Sequence, residues 1–431
     1  IVVHKEMGLV AQVFDEPSLT ALRGDIAVAH CRYSTTGASV WANAQPTFRS
    51  TPTASLALGH NGNLTNTREL AAMLPDSAGP GTVQATSDTD VLTELFVGGP
   101  ADDGVGDTSV EDTAARILPL VRGAYSLVFM DENTLYAARD PQGFRPLVIG
   151  QLDAGWVVAS ETAALDIVGA AFVREVRPGE LVTLDERGLR SRIFAPAVPK
   201  VCLFEYVYLA RPDTTISGRG LHATRVEIGR TLAAEYPADA DLVIPVPESG
   251  TPAAIGYAES SGIPYGQGLV KNSYVGRTFI QPSQLIRQRG IRLKLNPLRD
   301  VIAGQRIVVV DDSIVRGNTQ RAIVAMLREA GAREVHVRIA SPPVKWPCFY
   351  GIDFATREEL VAGHSTVEEI RESIGADSLG YVSLDGLVAA TRQESGSLCR
   401  ACFDGHYPVP VAEEERGKDV LEPVMLSGRR P

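Results

Sequence analysis

The sequence predicts two domains of different fold class, an α+β sandwich followed by an α/β domain with a parallel sheet. Three observations support this prediction. Residues 1–197 contain many short strand patterns separated by turn residues. From about residue 220 onward, apolar strand patterns alternate with helical patterns. The chain has 431 residues, which is enough for two or three domains.

The first domain, 1–197, is predicted from runs of strands with few helices between them. Strand patterns occupy 25–34, 55–61, 124–131, 135–140, 155–160 and 179–185. Helical patterns occupy 66–74, 88–97 and 110–121. The proline-flanked stretch 195–200 ends this pattern.

The second domain, 198–410, is predicted from strands that alternate with helices. Strand patterns occupy 241–247, 305–312 and 334–341. Helical patterns near 252–260 and 319–331 each run into a glycine, Gly262 and Gly331, that is placed to end a helix. This alternation predicts a doubly wound parallel sheet. Residues 411–431 are charged and contain prolines, so we expect a poorly ordered C-terminal tail.

Composition and charge exclude several classes of function. The formal net charge of −11 argues against a general nucleic-acid or membrane-surface binder. No apolar run approaches the roughly 18 residues that a membrane span needs, and no secretory signal is visible. The five cysteines are an odd number and are sparse in a chain of this length, so they do not indicate a framework of disulfides. We therefore expect a cytoplasmic protein.

The segment IVVVDDSIVRGNT at 307–319 predicts a ribose-phosphate site. A buried strand ends in Asp311 and Asp312, and a loop then leads to a helix whose N-terminus favours a phosphate. Adjacent carboxylates suit ribose hydroxyls and a hydrated Mg²⁺ ion. Gly317 allows close approach to the anion, while Ser313 and Thr319 can donate to it. The alternative is an ordinary strand end followed by an N-cap.

Two neighbouring segments favour the ribose-phosphate interpretation. PVPES at 245–249 ends the preceding strand with an acid and Ser249, which could face a pyrophosphate–Mg²⁺ group. Residues 271–299 contain seven basic and no acidic residues: Lys271, Arg277, Arg287, Arg289, Arg292, Lys294 and Arg299. Such a segment could be a lid over a polyphosphate. A solvated basic loop is the alternative, and few aromatic residues disfavour a nucleic-acid patch.

Three segments of the first domain carry groups that could hold an amino-acid substrate. Arg32 can pair with an α-carboxylate, and Asp88 can accept hydrogen bonds from an α-ammonium group. Asn61 and the amide of Gly62, in a predicted NG turn, can donate to an oxyanion. The alternatives are an ordinary hairpin turn at 61–62 and a helix N-cap at Ser87 or Asp88.

Four cysteines are candidate metal ligands. Cys399 and Cys402 form a CxxC pair, and Cys202 and Cys348 could complete a set of four thiolates. Spacing alone allows Zn²⁺, an iron–sulfur cluster or chance. Cys31 lies inside a predicted strand, and we expect it to be a packed thiol.

The motifs resemble a known family. VVVDDSIVRGNT resembles the phosphoribosyl pyrophosphate (PRPP) motif of type I phosphoribosyltransferases. KNSYVGRTFIQPSQ at 271–284 resembles the flexible loop of glutamine PRPP amidotransferases, and CLFEYVYLARPD at 202–213 also fits that family. HCRYSTTG, LGHNGNLTN and ATSDTD resemble its glutaminase domain, an N-terminal-nucleophile hydrolase. The resemblance implies an αββα sandwich followed by a type I phosphoribosyltransferase domain.

The resemblance also implies a reaction and roles for individual residues. Ammonia derived from glutamine would attack C1 of PRPP, giving 5-phosphoribosylamine, pyrophosphate and glutamate, the first step of de novo purine synthesis. Asp311 and Asp312 would hold the ribose hydroxyls and, with Ser249, lie near Mg²⁺. The 5′-phosphate would bind Ser313, Arg316, Gly317, Asn318 and Thr319, and the lid would contribute Lys271, Tyr274 and Arg277. Asn318 departs from the Thr or Ser that is usual in the family.

Further implications concern cofactor, regulation and the glutamine half. The four cysteines match the iron–sulfur branch, which implies a [4Fe-4S] cluster, and the family implies purine-nucleotide inhibition and a homotetramer. Its nucleophile is a cysteine at the mature N-terminus, whereas this sequence begins with Ile1. We therefore expect a missing N-terminal segment and activity with ammonia alone. The alternative function is a PRPP-binding regulatory protein without catalysis.

Overall fold

The structure is a computed structural model that describes residues 1–32, 40–51, 55–74, 87–99, 109–272, 293–352 and 356–413. The chain divides into two compact units. The first unit comprises Ile1–Val201, Cys348–Ala355 and Tyr407–Pro431, and the second comprises Cys202–Pro347 and Thr356–His406. Within the described ranges, no helix combines the length and apolar character that a membrane span requires.

Two antiparallel sheets form the centre of the first unit. The larger has the order β1-β2-β3-β4-β8-β9 and the smaller the order β6-β5-β7. The strands are β1 (Thr47–Ser50), β2 (Ser55–Leu64), β3 (Gly123–Met130), β4 (Leu135–Arg139), β5 (Val148–Leu152), β6 (Gly155–Ala159), β7 (Ala171–Glu175), β8 (Glu180–Asp185) and β9 (Gly188–Ile193). The helices are α1 (Val10–Val13), α2 (Glu16–Ala21), α3 (Thr67–Ala71), α4 (Asp88–Gly98), α5 (Val110–Ile117) and α6 (Thr162–Val168), with 3-10 turns at Trp41–Asn43 and Leu118–Leu120.

Alternating side chains build a four-layer sandwich in this unit. Leu56 and Leu58 of β2 pack with Leu92 and Leu95 of α4, which covers one face of the large sheet. The other face packs against the small sheet through a cluster formed by Ala137, Val182, Leu184, Leu147, Ile149 and Val176. Leu165 of α6 covers the small sheet. The layers are therefore helix, sheet, sheet and helix, as an αββα fold requires.

Residues 25–32 correct one prediction. Burial alternates along this segment, with Ile26, Val28, His30 and Arg32 half-buried and the residues between them exposed. The described residues of the predicted strand belong to no strand, because burial with a period of two does not require a backbone ladder. Cys31 lies on the exposed side, so the prediction of a packed thiol is wrong.

A parallel sheet of order β13-β16-β17-β18 forms the centre of the second unit. The strands are β10 (Val201–Cys202, at the boundary), β11 (Thr215–Ile216), β12 (Arg219–Gly220), β13 (Leu242–Pro245), β14 (Leu269–Lys271), β15 (Leu295–Pro297), β16 (Arg306–Asp311), β17 (Glu334–Ile339), β18 (Ser378–Tyr381) and β19 (Leu398–Cys399). The helices are α7 (Leu221–Glu235), α8 (Thr251–Ser261), α9 (Arg299–Ile302), α10 (Asn318–Glu329), α11 (Val361–His364), α12 (Val367–Ile374), α13 (Leu384–Thr391) and α14 (Ala401–Asp404), with a π-helix at Glu205–Leu209 and a 3-10 turn at Ser395–Ser397.

The central strand β16 is apolar on both faces because the parallel sheet buries both. Ile307 and Val309 join one continuous apolar cluster with the buried residues of α10. Gly262 ends α8 in the left-handed region at φ 74°, and Gly331 follows α10 at φ 98°. Both predicted glycine stops are therefore confirmed.

Candidate functional site

The carboxyl ends of β13 and β16 bring two predicted segments together. Pro245 is in register with Val310, so the loop after β13 lies beside Asp311. Gly250 makes this possible, because a Cβ there would lie 2.3 Å from the Val310 carbonyl oxygen. Ser249 forms a side-chain hydrogen bond with Asp312. The predicted grouping of this serine with the two aspartates is present in the structure.

The two aspartates form a desolvated pair of neighbouring carboxyl groups. Asp311 is 5% exposed and Asp312 is 9% exposed. Burial, and then the charge of Asp312, raise the pKa of Asp311 well above its ordinary value. Burial also raises the pKa of Asp312, although hydrogen bonds from Ser249 and Ser313 oppose that shift. Such a pair favours binding of a cation together with hydroxyl donors.

Three residues outside the sequence motif also act on this pair. Gln320 Nε2, in the first turn of α10, donates to Asp311 Oδ2. Lys294 lowers the pKa of Asp311 through its charge, and Arg225 does the same for the pKa of Asp312. Three backbone carbonyls accept hydrogen bonds from the Arg225 guanidinium, at 2.9, 3.2 and 2.7 Å. Tertiary structure, and not spacing, brings these donors and positive charges to the carboxylates.

The helix that follows β16 begins where the sequence predicts a phosphate cradle. Gly317 is its N-cap in the left-handed region at φ 77°, and Asn318 and Thr319 are its first two residues. The first backbone N–H groups of a helix lack intrahelical acceptors and point outward. Arg316 does not join the cradle here, because its Nη2 lies 2.7 Å from Glu359 Oε2 in an exposed ion pair.

One strand pair, β14 with β15, includes described residues of the basic segment. Lys271 of β14 is in register with Leu295 of β15. Lys271 Nζ lies 3.1 Å from Glu248 Oε2, in the loop that follows β13. The first residue of the predicted lid is therefore anchored to the loop that contains Ser249. Tyr274 and Arg277 lie outside the described residues.

In the first unit, Asn61 and Gly62 lie within β2 and not in a turn. They are in register with Ser126 and Tyr125 of β3, so the predicted NG turn is wrong. The physical reason is that Gly62 adopts φ 151° while the hydrogen-bonded pairing of β2 with β3 continues through it. A Cβ on Gly62 would lie 2.0 Å from the Ala124 carbonyl oxygen, so this position requires glycine.

Asp88 and Arg32 lie close to the same strand. Asp88 is the first residue of α4, and its Oδ2 accepts a 3.2 Å hydrogen bond from the Leu64 amide of β2. Burial lowers the pKa of Arg32, whereas the charges of Asp88 and Asp90 raise it. The structure therefore groups Arg32, Asp88 and the Asn61 strand, and Ser87 serves independently as the N-cap of α4.

A further residue of this group was not predicted. Arg145 Nε donates to Asn61 Oδ1 at 3.3 Å. The Arg145 carbonyl accepts hydrogen bonds from Arg139 Nε at 2.8 Å and from Ser126 Oγ at 3.1 Å, which fixes its backbone. Because a guanidinium can only donate, the Asn61 amide oxygen faces Arg145 and the NH₂ group faces away. In that orientation the Asn61 NH₂ group can donate a hydrogen bond to an oxyanion.

No disulfide joins any two of the five cysteines, all of which lie in the described residues. Cys399 and Cys402 are buried where β19 leads into α14, and β10, which contains Cys202, pairs with β19. Burial raises the pKa of the Cys348 thiol. Among the residues that the structure describes, no three His, Cys, Asp or Glu side chains are grouped as a metal site.

Comparisons with known proteins agree with the fold and with the motifs. A family model described as a glutamine amidotransferase domain matches residues 30–167. The amidophosphoribosyltransferase of Mycobacterium tuberculosis is 61% identical, and the match covers 100% of this chain and 82% of that protein. The amidophosphoribosyltransferase of Bacillus subtilis is 45% identical, with 99% of this chain and 89% of that protein covered.

Two solved structures extend the agreement to three dimensions. A structure described as the allosteric regulatory enzyme of purine biosynthesis gives a TM-score of 0.87 at 45% identity, covering 97% of this chain and 90% of that one. The B. subtilis glutamine PRPP amidotransferase complexed with ADP and GMP gives 0.86 at 45% identity, covering 96% and 90%. The predicted N-terminal-nucleophile hydrolase sandwich and phosphoribosyltransferase fold are thereby confirmed. The chain belongs to the amidophosphoribosyltransferase family.

Proposed function

We propose that this chain transfers ammonia, derived from glutamine, to C1 of PRPP and so begins de novo purine synthesis. One observation carries the proposal. Two buried aspartates, Ser249 and the N-terminus of α10 converge at the carboxyl ends of β13 and β16. Carboxylates for ribose hydroxyls beside a helix N-terminus for a phosphate match a ribose 5-phosphate group.

In the proposed reaction, Asp311 and Asp312 accept hydrogen bonds from the ribose hydroxyls. The amides of Gly317, Asn318 and Thr319, with the Ser313 hydroxyl, bind the 5′-phosphate. The nitrogen lone pair of ammonia forms a bond to C1 while the C1–oxygen bond breaks, and pyrophosphate leaves with that electron pair. The product then loses a proton to give 5-phosphoribosylamine. Positioning and charge stabilisation supply the rate enhancement.

The donor set is compatible with Mg²⁺, which the family implies. Asp311 and Asp312 offer carboxylate oxygens, and Ser249 contacts the second of them. Mg²⁺ is commonly held by one or two carboxylates and completed by water and substrate phosphate oxygens. A bound Mg²⁺ would neutralise charge on the departing pyrophosphate. We propose that Lys271, Tyr274, Arg277 and Arg316 contribute further positive charge or polar contacts around the same substrate.

For the glutamine half, we propose that Arg32 pairs with the substrate α-carboxylate and Asp88 with its α-ammonium group. The Asn61 NH₂ and the Gly62 amide would donate to the oxyanion that forms at the amide carbon. The expectation that this chain uses ammonia alone remains a prediction.

We further propose a [4Fe-4S] cluster held by Cys202, Cys348, Cys399 and Cys402. The chemistry of the donor set supports it, because four thiols are available and two are buried in one CxxC turn. Cys348 is assigned as a ligand from the sequence match. Because the transfer reaction involves no electron transfer, the role of the cluster would be structural or oxygen-sensing. Iron and sulfide analysis of anaerobically purified protein tests it.

Two further features of the chain concern its regulation and its assembly. The B. subtilis relative was solved with ADP and GMP. We propose that purine nucleotides inhibit this chain and that it assembles as a homotetramer. Inhibition by added nucleotides and the mass measured by light scattering test these two statements separately.

The main experiment mixes the purified chain with PRPP and Mg²⁺, adds either ammonium or glutamine, and measures pyrophosphate. Release that depends on ammonium is the expected result, and the glutamine arm tests the expectation of ammonia dependence. PRPP binding without pyrophosphate release from either donor would instead favour a regulatory protein and contradict the proposed activity.

A further inference from the structure

One polar residue interrupts the apolar face of α10. Gln320, Ile323, Val324 and Leu327 are all buried and share the spacing of one helix face. Three of them are apolar and belong to the core cluster around β16, but Gln320 is a carboxamide that is only 2% exposed. A buried amide lowers stability unless it has hydrogen-bond partners, so its presence on this face requires an explanation.

The partner of Gln320 is the first aspartate of the phosphoribosyl motif. Gln320 Nε2 donates to Asp311 Oδ2. The other oxygen, Asp311 Oδ1, accepts a 2.9 Å hydrogen bond from the Asp312 backbone amide. One main-chain donor and one side-chain donor therefore hold the two carboxylate oxygens. Because Asp311 is 5% exposed, these protein donors replace the water molecules that would otherwise solvate it.

The structure fixes the orientation of the Gln320 amide. Its NH₂ group faces Asp311 and donates to Oδ2. Gln320 Oε1 is then left buried without a hydrogen-bond partner among the described residues. An apolar side chain would fill this position on the helix without burying an unpaired oxygen. Packing alone therefore does not explain glutamine here, whereas the contact with Asp311 does.

We infer that Gln320 is a positioning residue of the phosphoribosyl site, which holds the Asp311 carboxylate in the orientation that binds the ribose hydroxyls. The inference rests on the proposed function and adds to it a residue outside the IVVVDDSIVRGNT motif. Gln320 acts through Asp311 and does not contact the substrate. Without its donor, Asp311 can rotate away from the hydroxyls.

Three variants separate the hydrogen bond from packing. Gln320→Met keeps the unbranched shape and removes the donor, while Gln320→Glu keeps the shape and places a carboxylate against Asp311. Val324→Ala is the matched control, because Val324 is buried on the same helix face within the apolar cluster. The measurement is kcat and KM for PRPP in ammonium-dependent pyrophosphate release, together with the melting temperature of each variant.

We expect Gln320→Met to raise KM for PRPP by about 10-fold or more, the range for a hydrogen bond to a charged group. The kcat should stay within about threefold, because the contact supports binding in the ground and transition states alike. Gln320→Glu should raise KM further. Val324→Ala should lower the melting temperature and leave KM unchanged.

A KM for Gln320→Met within about twofold of the wild-type value would overturn the inference, and so would an equal rise in Val324→Ala. If the wild-type chain releases no pyrophosphate, the proposed activity fails, and calorimetric titration with PRPP and Mg²⁺ then tests Gln320 without turnover. Weaker binding by Gln320→Met than by the wild type would support the inference. Equal dissociation constants, or no binding by the wild type, would contradict it.

Discussion

The two candidate sites differ in how far apart along the chain their residues lie. The phosphoribosyl site is centred on one strand, one loop and one helix start within 307–319. The glutamine site draws Arg32, Asn61, Asp88 and Arg145 from four separate segments. A phosphate cradle needs only a helix N-terminus and a glycine-bearing loop, which are local structures. A site for both ends of an amino acid needs opposite charges and oxyanion donors, which only a folded sheet brings together.

The difference predicts that single substitutions act differently in the two sites. In the local site, removal of one carboxylate removes a substrate contact directly. In the assembled site, backbone geometry is as important as side-chain chemistry, because the donors are held by a strand ladder. Two substitutions in the sites test this distinction. Two further substitutions compare the pH dependence of stability in the two units, and all four follow in order of expected effect.

Asp312→Asn should have the largest effect on ammonium-dependent transfer. Asp312 is buried and held by Ser249 and Ser313, and in the proposed reaction a neutral amide there removes the carboxylate that contacts ribose and Mg²⁺. We expect kcat/KM for PRPP to fall by about 100-fold or more. Asp300→Asn, an exposed change at the start of α9, is the control and should behave like the wild type. Comparable rates for the two variants would remove Asp312 from the site.

Gly62→Ala should disrupt the first unit and spare the second. Its Cβ would lie 2.0 Å from the Ala124 carbonyl oxygen, and φ 151° disfavours a side chain. We expect any glutamine hydrolysis to fall by about 100-fold and the first thermal transition to move lower. Ammonium-dependent transfer should change by less than about threefold. Gly155→Ala, where an added Cβ meets open space, is the control.

An outcome in which Gly62→Ala abolishes ammonium-dependent transfer as well would contradict the separation of the two sites. It would show that the backbone at Gly62 is required for activity in the second unit. Gly155→Ala must retain the wild-type melting temperature for this comparison to hold.

Asp140 of the first unit should make the free energy of unfolding decrease as pH rises. Burial raises the pKa of Asp140 to about 6, against the hydrogen bonds it accepts from the backbone amides of Tyr125, Gln142 and Phe144. A raised folded-state pKa favours the protonated form, so this contribution is fully present below the ordinary pKa of 3.8 and is lost between there and about pH 6. The shift corresponds to roughly 3 kcal/mol.

Asp140→Asn should therefore flatten the change in melting temperature between about pH 4 and about pH 7, as measured by calorimetry at matched salt. Asp153→Asn, in the exposed turn after β5, is the control and should keep the wild-type profile. An unchanged pH profile in Asp140→Asn would show that another group governs this range.

Asp241 of the second unit should give a smaller effect of opposite sign. Hydrogen bonds from Arg306 lower the pKa of Asp241 to about 2. A lowered folded-state pKa contributes stability that is present above the ordinary pKa of 3.8 and is lost as pH falls through about 2. Because the pair is partly exposed to solvent, Asp241→Asn should lower the melting temperature only slightly at neutral pH. The difference from the wild type should shrink in acid, and a difference that grows in acid would contradict this assignment.

The backbone geometry of the local site was predicted from the sequence, whereas the backbone at Asn61 and Gly62 in the assembled site was not. The strand at 307–311, the paired aspartates and the glycine before α10 form a contiguous pattern whose geometry follows from backbone preferences. Gln320 was not predicted, because the role of a polar residue on an apolar helix face depends on its hydrogen-bond partner. That partner, Asp311, lies in β16 and is identified only by the tertiary structure. In the first unit, the pair Asn61 and Gly62 was interpreted as a turn because an NG dipeptide usually is one.

The sequence by itself determined the two fold classes, the change between them near residue 200 and the motifs that carry the family resemblance. These follow from periodicity and from backbone preferences, which act over a few residues. Tertiary structure decided which donors face which carboxylates. Gly62 continues a strand because β3 pairs with it, Arg145 orients Asn61, and Gln320 meets Asp311. The reason is physical: hydrogen bonds in a buried site depend on distances between segments that local preferences do not fix.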